Sequence, residues 1–515
     1  MDLAPPSSFV NELINPKLYR SSWPILDWLL IRPLLQLGLT SMPTKMAEKL
    51  TPSPPPPSSS PPSHPRPQDR RSFGKVVVVA LLCFVFFLAH RHYPRSQDSS
   101  PFCPKSIDGR VRRILSETPL IDGHNDLAIF IRYMYNNHIY GENFTKPFEE
   151  GRLPMHTDLH RLRKGLNGGA FWSVYTPCPE NGSDFSDANY AASVQLTLQQ
   201  IDLMTRLQSA YPSDFSGVVV DSRSAVAAFR AGRLISPLGI EGLHQIGNSA
   251  ANLRRYHALG VRYATLTHNC GNAFADAALW EGPTRKAPPR WGGVSPRGRR
   301  LVNEMNRIGM IVDLSHTSVD TMVDVLGGGN NNNNNNGDEW AGSKAPVIFS
   351  HSSAYALCPH PRNVPDHVLQ LVKKTNSVVM VNFAPEFVSC AANPDNEHGL
   401  PDFVPGNSTL ARVADHIAHI GAVAGYDHVG LGSDFDGIES TPAGLEDVAR
   451  YPDLVAELLR RGVSDADAAK VAGGNVLRVW ADVEGVAARM QAEGEPVMED
   501  DLESLVGLEE YYPGL

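Results

Sequence analysis

Residues 309–318 read GMIVDLSHTS, an apolar run that ends in a polar cluster containing His316. A run of this kind, without polar alternation, fits a parallel strand covered on both faces. Seven more lie on either side of it: 119–123 (PLIDG), 170–175 (AFWSVY), 235–240 (ISPLGI), 262–267 (RYATLT), 346–349 (PVIF), 377–383 (SVVMVNF) and 428–432 (HVGLG). Helix-like stretches separate them. The clearest is 446–461, with apolar residues at Val448, Leu454, Val455, Leu458 and Leu459, and Ser464 stands where it would cap the next helix. Eight strands alternating with helices predict an α/β fold, a (β/α)8 TIM-type barrel spanning residues 104–485.

In such a barrel the chemistry sits at the C-terminal ends of the strands. Strand one is followed by His124 and Asp126, strand three by Glu241, strand four by His268, strand five by His316, strand six by His351, and strand eight by Asp434 and Asp436. One strand-end histidine is more often a hydrogen-bonding structural residue than a ligand. With 18 His in the chain, an H-x-D triplet also arises by chance roughly once. His156 and Asp158 form a second copy with no strand before it, and no role is expected for it. Recurrence at six strand ends is what points to a metal site. Imidazoles and carboxylates without a thiolate suit Zn²⁺ ahead of Mn²⁺ or Fe²⁺. There are more donors than one tetrahedral ion needs, so two ions bridged by a carboxylate are expected, clamping a hydroxide between centres ~3.5–4 Å apart. The implied reaction is hydrolysis of an amide or ester.

The remainder of the chain supplies an address. Residues 51–71 are Pro- and Ser-rich and offer almost nothing to bury, so 1–72 is expected to be a disordered cytosolic tail. An apolar stretch within it, residues 23–39, is broken by Arg32 and Pro33 and has no physical account. Next comes VVVVALLCFVFFLA at 76–89, which with its flanks predicts a transmembrane signal-anchor over 73–92. Arg66, Arg70, Arg71 and Lys75 precede it, against Arg91 and Arg95 after it, which sets the N-terminus in the cytosol. The chain is therefore expected to be a single-pass type II membrane protein with its barrel lumenal or extracellular. Sequons at Asn143, Asn181 and Asn407 agree with a glycoprotein. Four cysteines fall in the globular part, Cys178, Cys270, Cys358 and Cys390; disulfides are expected in an oxidising compartment, and spacing leaves three pairings open. A net charge of −9 excludes a broad nucleic-acid footprint. The Gly/Asn tract at 327–338 reads as a disordered surface insertion, and 486–515 as an acidic C-terminal extension.

Several segments together resemble the membrane dipeptidases, the renal dipeptidase family of zinc metallopeptidases. They include LIDGHNDLAIF from Leu120, GIEGLHQI from Gly239, GVRYATLTHNC from Gly260, GMIVDLSHTS from Gly309, PVIFSHSSAYALC from Pro346, RNVPD from Arg362 and VGLGSDFDG from Val429. The resemblance covers about residues 104–482. It implies two zinc ions per chain, one held by His124 and Asp126, the other by His316 and His351, with Glu241 bridging. It further implies that His268 contacts the substrate carbonyl, that Arg362 clamps the free carboxylate of a dipeptide, and that Asp434 orients the water and passes its proton to the leaving amine. Asp436 is left behind the site. The pairings Cys178 with Cys270 and Cys358 with Cys390, and a homodimer, are implied in the same way. Phe387 departs from the Tyr that animal members tend to carry in the strand-seven loop. A C-terminal glycolipid attachment is not expected, because the tail is acidic; the N-terminal helix would anchor the chain to the lipid bilayer instead. Alternatives are an amidohydrolase acting on another amide or a lactam, and a non-catalytic surface glycoprotein.

Overall fold

The computed structural model describes residues 106–329 and 340–501. The tail and anchor expected over 1–92, most of the Gly/Asn tract and residues 502–515 lie outside that range. Among the described residues no helix is long and apolar enough to cross a membrane.

Eight strands form a closed, all-parallel barrel: β1 (Leu120–Asn125), β2 (Asn167–Ser173), β3 (Leu238–Glu241), β4 (Val261–Thr265), β5 (Ile311–Asp313), β6 (Ile348–Phe349), β7 (Val378–Val381) and β8 (Val429–Leu431). Each pairs with its sequence neighbours, and Asp122 opposite Leu431 closes the ring between β1 and β8. All eight correspond to the eight apolar runs, because burial on both faces is what makes a strand read as uninterrupted: every residue of β1 and of β7 is buried. Each fully buried Val, Ile or Met in them contributes ~1.5–3 kcal/mol against exposure. Boundaries moved where the backbone could not continue a ladder. The third run starts at Ile235, but Pro237 has no N–H to donate, so β3 begins at Leu238.

Two helices differ from the sequence expectation in extent. The helix expected over 446–461 begins only at Tyr451, with Pro452 in its first turn, and is preceded by a 3-10 turn that Asp447 caps. Ser464 does cap the next helix, accepting from Asp467 N–H. The last helix, Asn475–Ala492, runs through the expected boundary at 485, so that boundary is corrected. Trp480 from this helix packs against Phe171, with centroids 5.4 Å apart, and Phe171 in turn meets Tyr263 at 5.6 Å.

Beyond Ala492 the acidic extension is attached to the barrel as far as Asp501. We label two helices it touches α1 (Ala250–Ala258) and α2 (Pro296–Ile308). Glu495 accepts from Asn303 on α2 at 2.7 Å and pairs with Lys344 at 3.1 Å. Arg254 on α1 donates to the carbonyl of Met498 at 2.9 Å. Asp500 accepts from the backbone N–H of Ala250 at 2.7 Å and from Ser249 Oγ at 2.8 Å, meeting the open N-terminus of α1 with negative charge.

Candidate metal centre

Two buried aspartates turn the strand ends so that histidines face the barrel mouth. Asp122 accepts from the N–H of His124 two residues on, and from Ser433 N–H, Ser433 Oγ and Tyr451 Oη, at 2.6–3.2 Å. Asp313 does the same for β5 and β6, accepting from Ser315 N–H, Ser350 N–H, Ser350 Oγ and Thr265 Oγ1 at 2.5–3.1 Å. Three residues at the ends so formed, His316, Asp434 and Asp436, adopt positive φ of 65–68°. Non-glycine side chains in this region cost free energy and persist only where surrounding contacts impose them.

The predicted ligands converge. Glu241 is central: its Oε2 lies 3.5 Å from His124 Nε2, while its Oε1 lies 2.9 Å from His316 Nε2 and 3.4 Å from His351 Nε2. His124 Nε2 is 3.0 Å from Asp126 Oδ2, and the two imidazole Nε2 atoms of His316 and His351 are 3.0 Å apart. The donors therefore form two adjacent groups, His124 with Asp126 and His316 with His351, and each shares one oxygen of Glu241. Nitrogens this close with no proton to share repel unless a cation stands between them, and Asp126 Oδ1 is buried without a hydrogen-bond partner among the described residues. Both observations fit divalent metal.

Electrostatics point the same way. Burial lifts the Glu241 carboxyl to about 7. Burial opposes charge on His124, but Tyr263, Glu241 and Asp126 outweigh it and hold the imidazole well above its ordinary value. His316 and His351 are pushed well below theirs by burial and by neighbouring positive groups, Arg362 among them. His316 and His351 are thus held in the neutral form that metal ligation needs, and the carboxylates buried around His124 favour a cation at that end.

The outer nitrogens of the three histidines are also engaged, by residues that sequence reasoning missed. His124 Nδ1 is 2.7 Å from Tyr263 Oη, and the Tyr263 ring crosses the space a side chain would need at Gly239, so β3 must carry a glycine there. His351 Nδ1 is 2.8 Å from Ser350 Oγ, whose single proton goes to Asp313 at 2.6 Å, so Oγ accepts from His351 and leaves Nε2 with its lone pair inward. His316 Nδ1 meets Asn269 Oδ1 at 2.8 Å. One signal was available: polar residues inside otherwise apolar strands, and polar neighbours of the site histidines.

Around this centre stand the remaining predicted residues. His268 Nε2 is 3.9 Å from Glu241 Oε1, and its ring lies 4.3 Å from that of His316. Asp434 Oδ2 accepts from Asn382 Nδ2 at 3.0 Å, and burial raises its carboxyl. Arg362 is 3% exposed, yet its Nε and Nη2 have no hydrogen-bond partner among the described residues. Its guanidinium lies 5.0 Å over the ring of Phe387, so the departure at that position backs the arginine. The disulfides Cys178–Cys270 and Cys358–Cys390 are present, with Cα atoms 6.1 and 4.9 Å apart. Asp436 lies behind the centre. Its Oδ1 accepts from His156 N–H at 2.8 Å, and its own N–H donates to His156 Nδ1 at 3.0 Å. The second H-x-D copy therefore has a structural task that sequence did not reveal, and Asp158 caps the helix Leu159–Lys164.

The family model of membrane dipeptidases (peptidase family M19) matches residues 109–494. Dipeptidase aclJ of Aspergillus oryzae is 45% identical over 449 residues, covering 85% of this chain and 96% of that protein. Dipeptidase tcpJ of Claviceps purpurea is 45% identical over 384 residues, 75% of this chain and 81% of that one. The barrel resembles the solved structure of the probable dipeptidase PvdM from Pseudomonas aeruginosa, with a TM-score of 0.61 and 22% identity over 75% of this chain and all (100%) of that one, a likeness of fold. The metallo peptidase dipeptidase AC gives a TM-score of 0.57 and 25% identity, covering 72% and 99%.

Proposed function

Because the chain belongs to the membrane dipeptidase family, peptidase family M19, we propose that it is a two-zinc dipeptidase whose ions are held by His124 with Asp126 and by His316 with His351, Glu241 bridging. The observation that carries this is the division of Glu241, one carboxylate oxygen toward each donor group. Zinc in these groups would supply Lewis acidity and a water activated near neutral pH.

The rest of the work falls to side chains. Arg362, buried and short of partners for two of its nitrogens among the described residues, suits a substrate carboxylate, since a planar guanidinium binds it by two parallel hydrogen bonds. A carboxylate held there limits the substrate to one residue beyond the scissile bond. His268 offers Nε2 toward the centre, where the carbonyl oxygen gains charge during hydrolysis. Asp434, its carboxyl raised by burial and oriented by Asn382, takes a proton from the attacking water and returns it to the departing amine.

The anchor belongs to the same proposal: a type II protein held in a bilayer by residues 73–92, with the barrel glycosylated. Support comes from the exposure of Asn143, Asn181 and Asn407 and from the two disulfides. Alkaline extraction and glycosidase treatment of the expressed protein test it: release from membranes or an unshifted band would refute the anchor or the glycans. For the activity, the purified protein is expected to contain two zinc ions per chain and to hydrolyse L-X-Gly dipeptides but not tripeptides. Metal analysis showing one ion or none, with no turnover after zinc addition, would overturn it.

A further inference from the structure

The hairpin after β4 carries a carboxylate that none of the roles above uses. Its two short strands, Leu279–Trp280 and Arg285–Lys286, pair with each other, and Ala278 N–H donates to the carbonyl of His316 at 2.7 Å, which fixes the arm against the strand-five end. Glu281 follows directly. Its Oε1 accepts from Asn269 Nδ2 at 2.9 Å and lies 3.6 Å from His268 Nδ1. Asn269 Oδ1, on the other arm of the same amide, lies 2.8 Å from His316 Nδ1.

We propose that Glu281 is a positioning residue that fixes the tautomer of His316 through Asn269. An asparagine amide is nearly symmetric in shape and can sit either way round. A carboxylate only accepts, so Glu281 draws the NH₂ of Asn269 toward itself and leaves Oδ1 facing His316. That oxygen in turn requires N–H at Nδ1 and leaves the Nε2 lone pair pointing to Glu241 Oε1 and His351. The arrangement repeats, in different residues, the Asp313–Ser350–His351 relay on the neighbouring ligand.

This inference rests on the two-zinc reading, and the test separates them. Zinc is titrated into metal-free wild type, E281Q, N269A and the double variant E281Q/N269A, in competition with a chromogenic chelator, with thermal melting of the metal-free forms as a check on folding. Glutamine presents either an acceptor or a donor to Asn269, so E281Q releases the amide. Affinity of one zinc equivalent should fall about tenfold or more in E281Q, within the range found when outer partners of ligands are lost. N269A should show a similar fall, and the double variant no further loss than N269A alone. Unchanged zinc affinity in E281Q, or additive losses in the double variant, would overturn the relay. A rise in KM with zinc affinity intact would do the same and make Glu281 a substrate contact. Wild-type stoichiometry decides the two-ion reading, whereas the difference between wild type and variants decides the relay whatever that stoichiometry is.

Discussion

Arg362 illustrates what a single residue can decide. A buried guanidinium that, among the described residues, lacks partners for two of its nitrogens is costly unless an anion completes it, since buried charge without hydrogen bonds loses its hydration for nothing. Replacing it by alanine should raise KM for a dipeptide roughly 10²-fold, in line with ~1.5–3 kcal/mol for a charge-assisted hydrogen bond. Turnover of the corresponding dipeptide amide should hardly change, so selectivity for the free carboxylate collapses. Steady-state kinetics on matched acid and amide substrates check this, and unchanged selectivity would remove Arg362 from the proposed clamp. Phe387 packs against the guanidinium through its ring face, a contact that needs no hydroxyl.

At the scale of elements, helix Leu410–Val423 joins the strand-six and strand-seven loops through one side chain. His416 is fully buried; Ala354 N–H donates to its Nδ1 at 3.0 Å, and its Nε2 N–H donates to the carbonyl of Val388 at 2.9 Å. Both nitrogens are committed to the neutral form, and burial lowers its pKa to about 4. The sign follows from linkage. Below the ordinary value near 6.5 the unfolded chain binds a proton that the folded chain refuses, so stability falls as pH drops from 6.5 to about 4 and levels off beyond. His244 and His156, also lowered to about 4 by burial, act in the same window. Thermal melting of the metal-free protein should show Tm dropping over this range, and His416→Gln should flatten part of the drop. A slope identical to wild type would rule His416 out as a contributor. None of this was legible from the 3.6-residue pattern of the helix, which identifies His416 only as a polar residue on a buried face.

For the molecule as a whole, the corrected C-terminal boundary has a measurable consequence. Ending the chain at 485 would cut the final helix and remove the Asp500 contacts at the N-terminus of α1, whereas ending it at 501 keeps both. The shorter form should melt several degrees lower, and Asp500→Ala alone should cost ~1 kcal/mol, the usual worth of a helix-capping side chain. Equal melting temperatures for the two forms would show residues 486–501 to be dispensable for stability.

Sequence by itself determined the barrel and the cast of its mouth. Eight both-faces-buried strands are a one-dimensional signal, and strand-end residues inherit their position from the strand, so His124, Asp126, Glu241, His268, His316, His351 and Asp434 could be chosen by counting along the chain. Tertiary structure decided how Glu241 is shared between two donor groups and which outer partner sets each imidazole. It also decided that His156 locks onto Asp436 and that the acidic extension continues the fold. Except for Ser350 beside His351, those facts depend on distances between residues tens to hundreds of positions apart, such as Tyr263 and His124 or Asp436 and His156. Periodicity and composition describe each segment separately; only closure of the ring brings the segments within hydrogen-bonding reach.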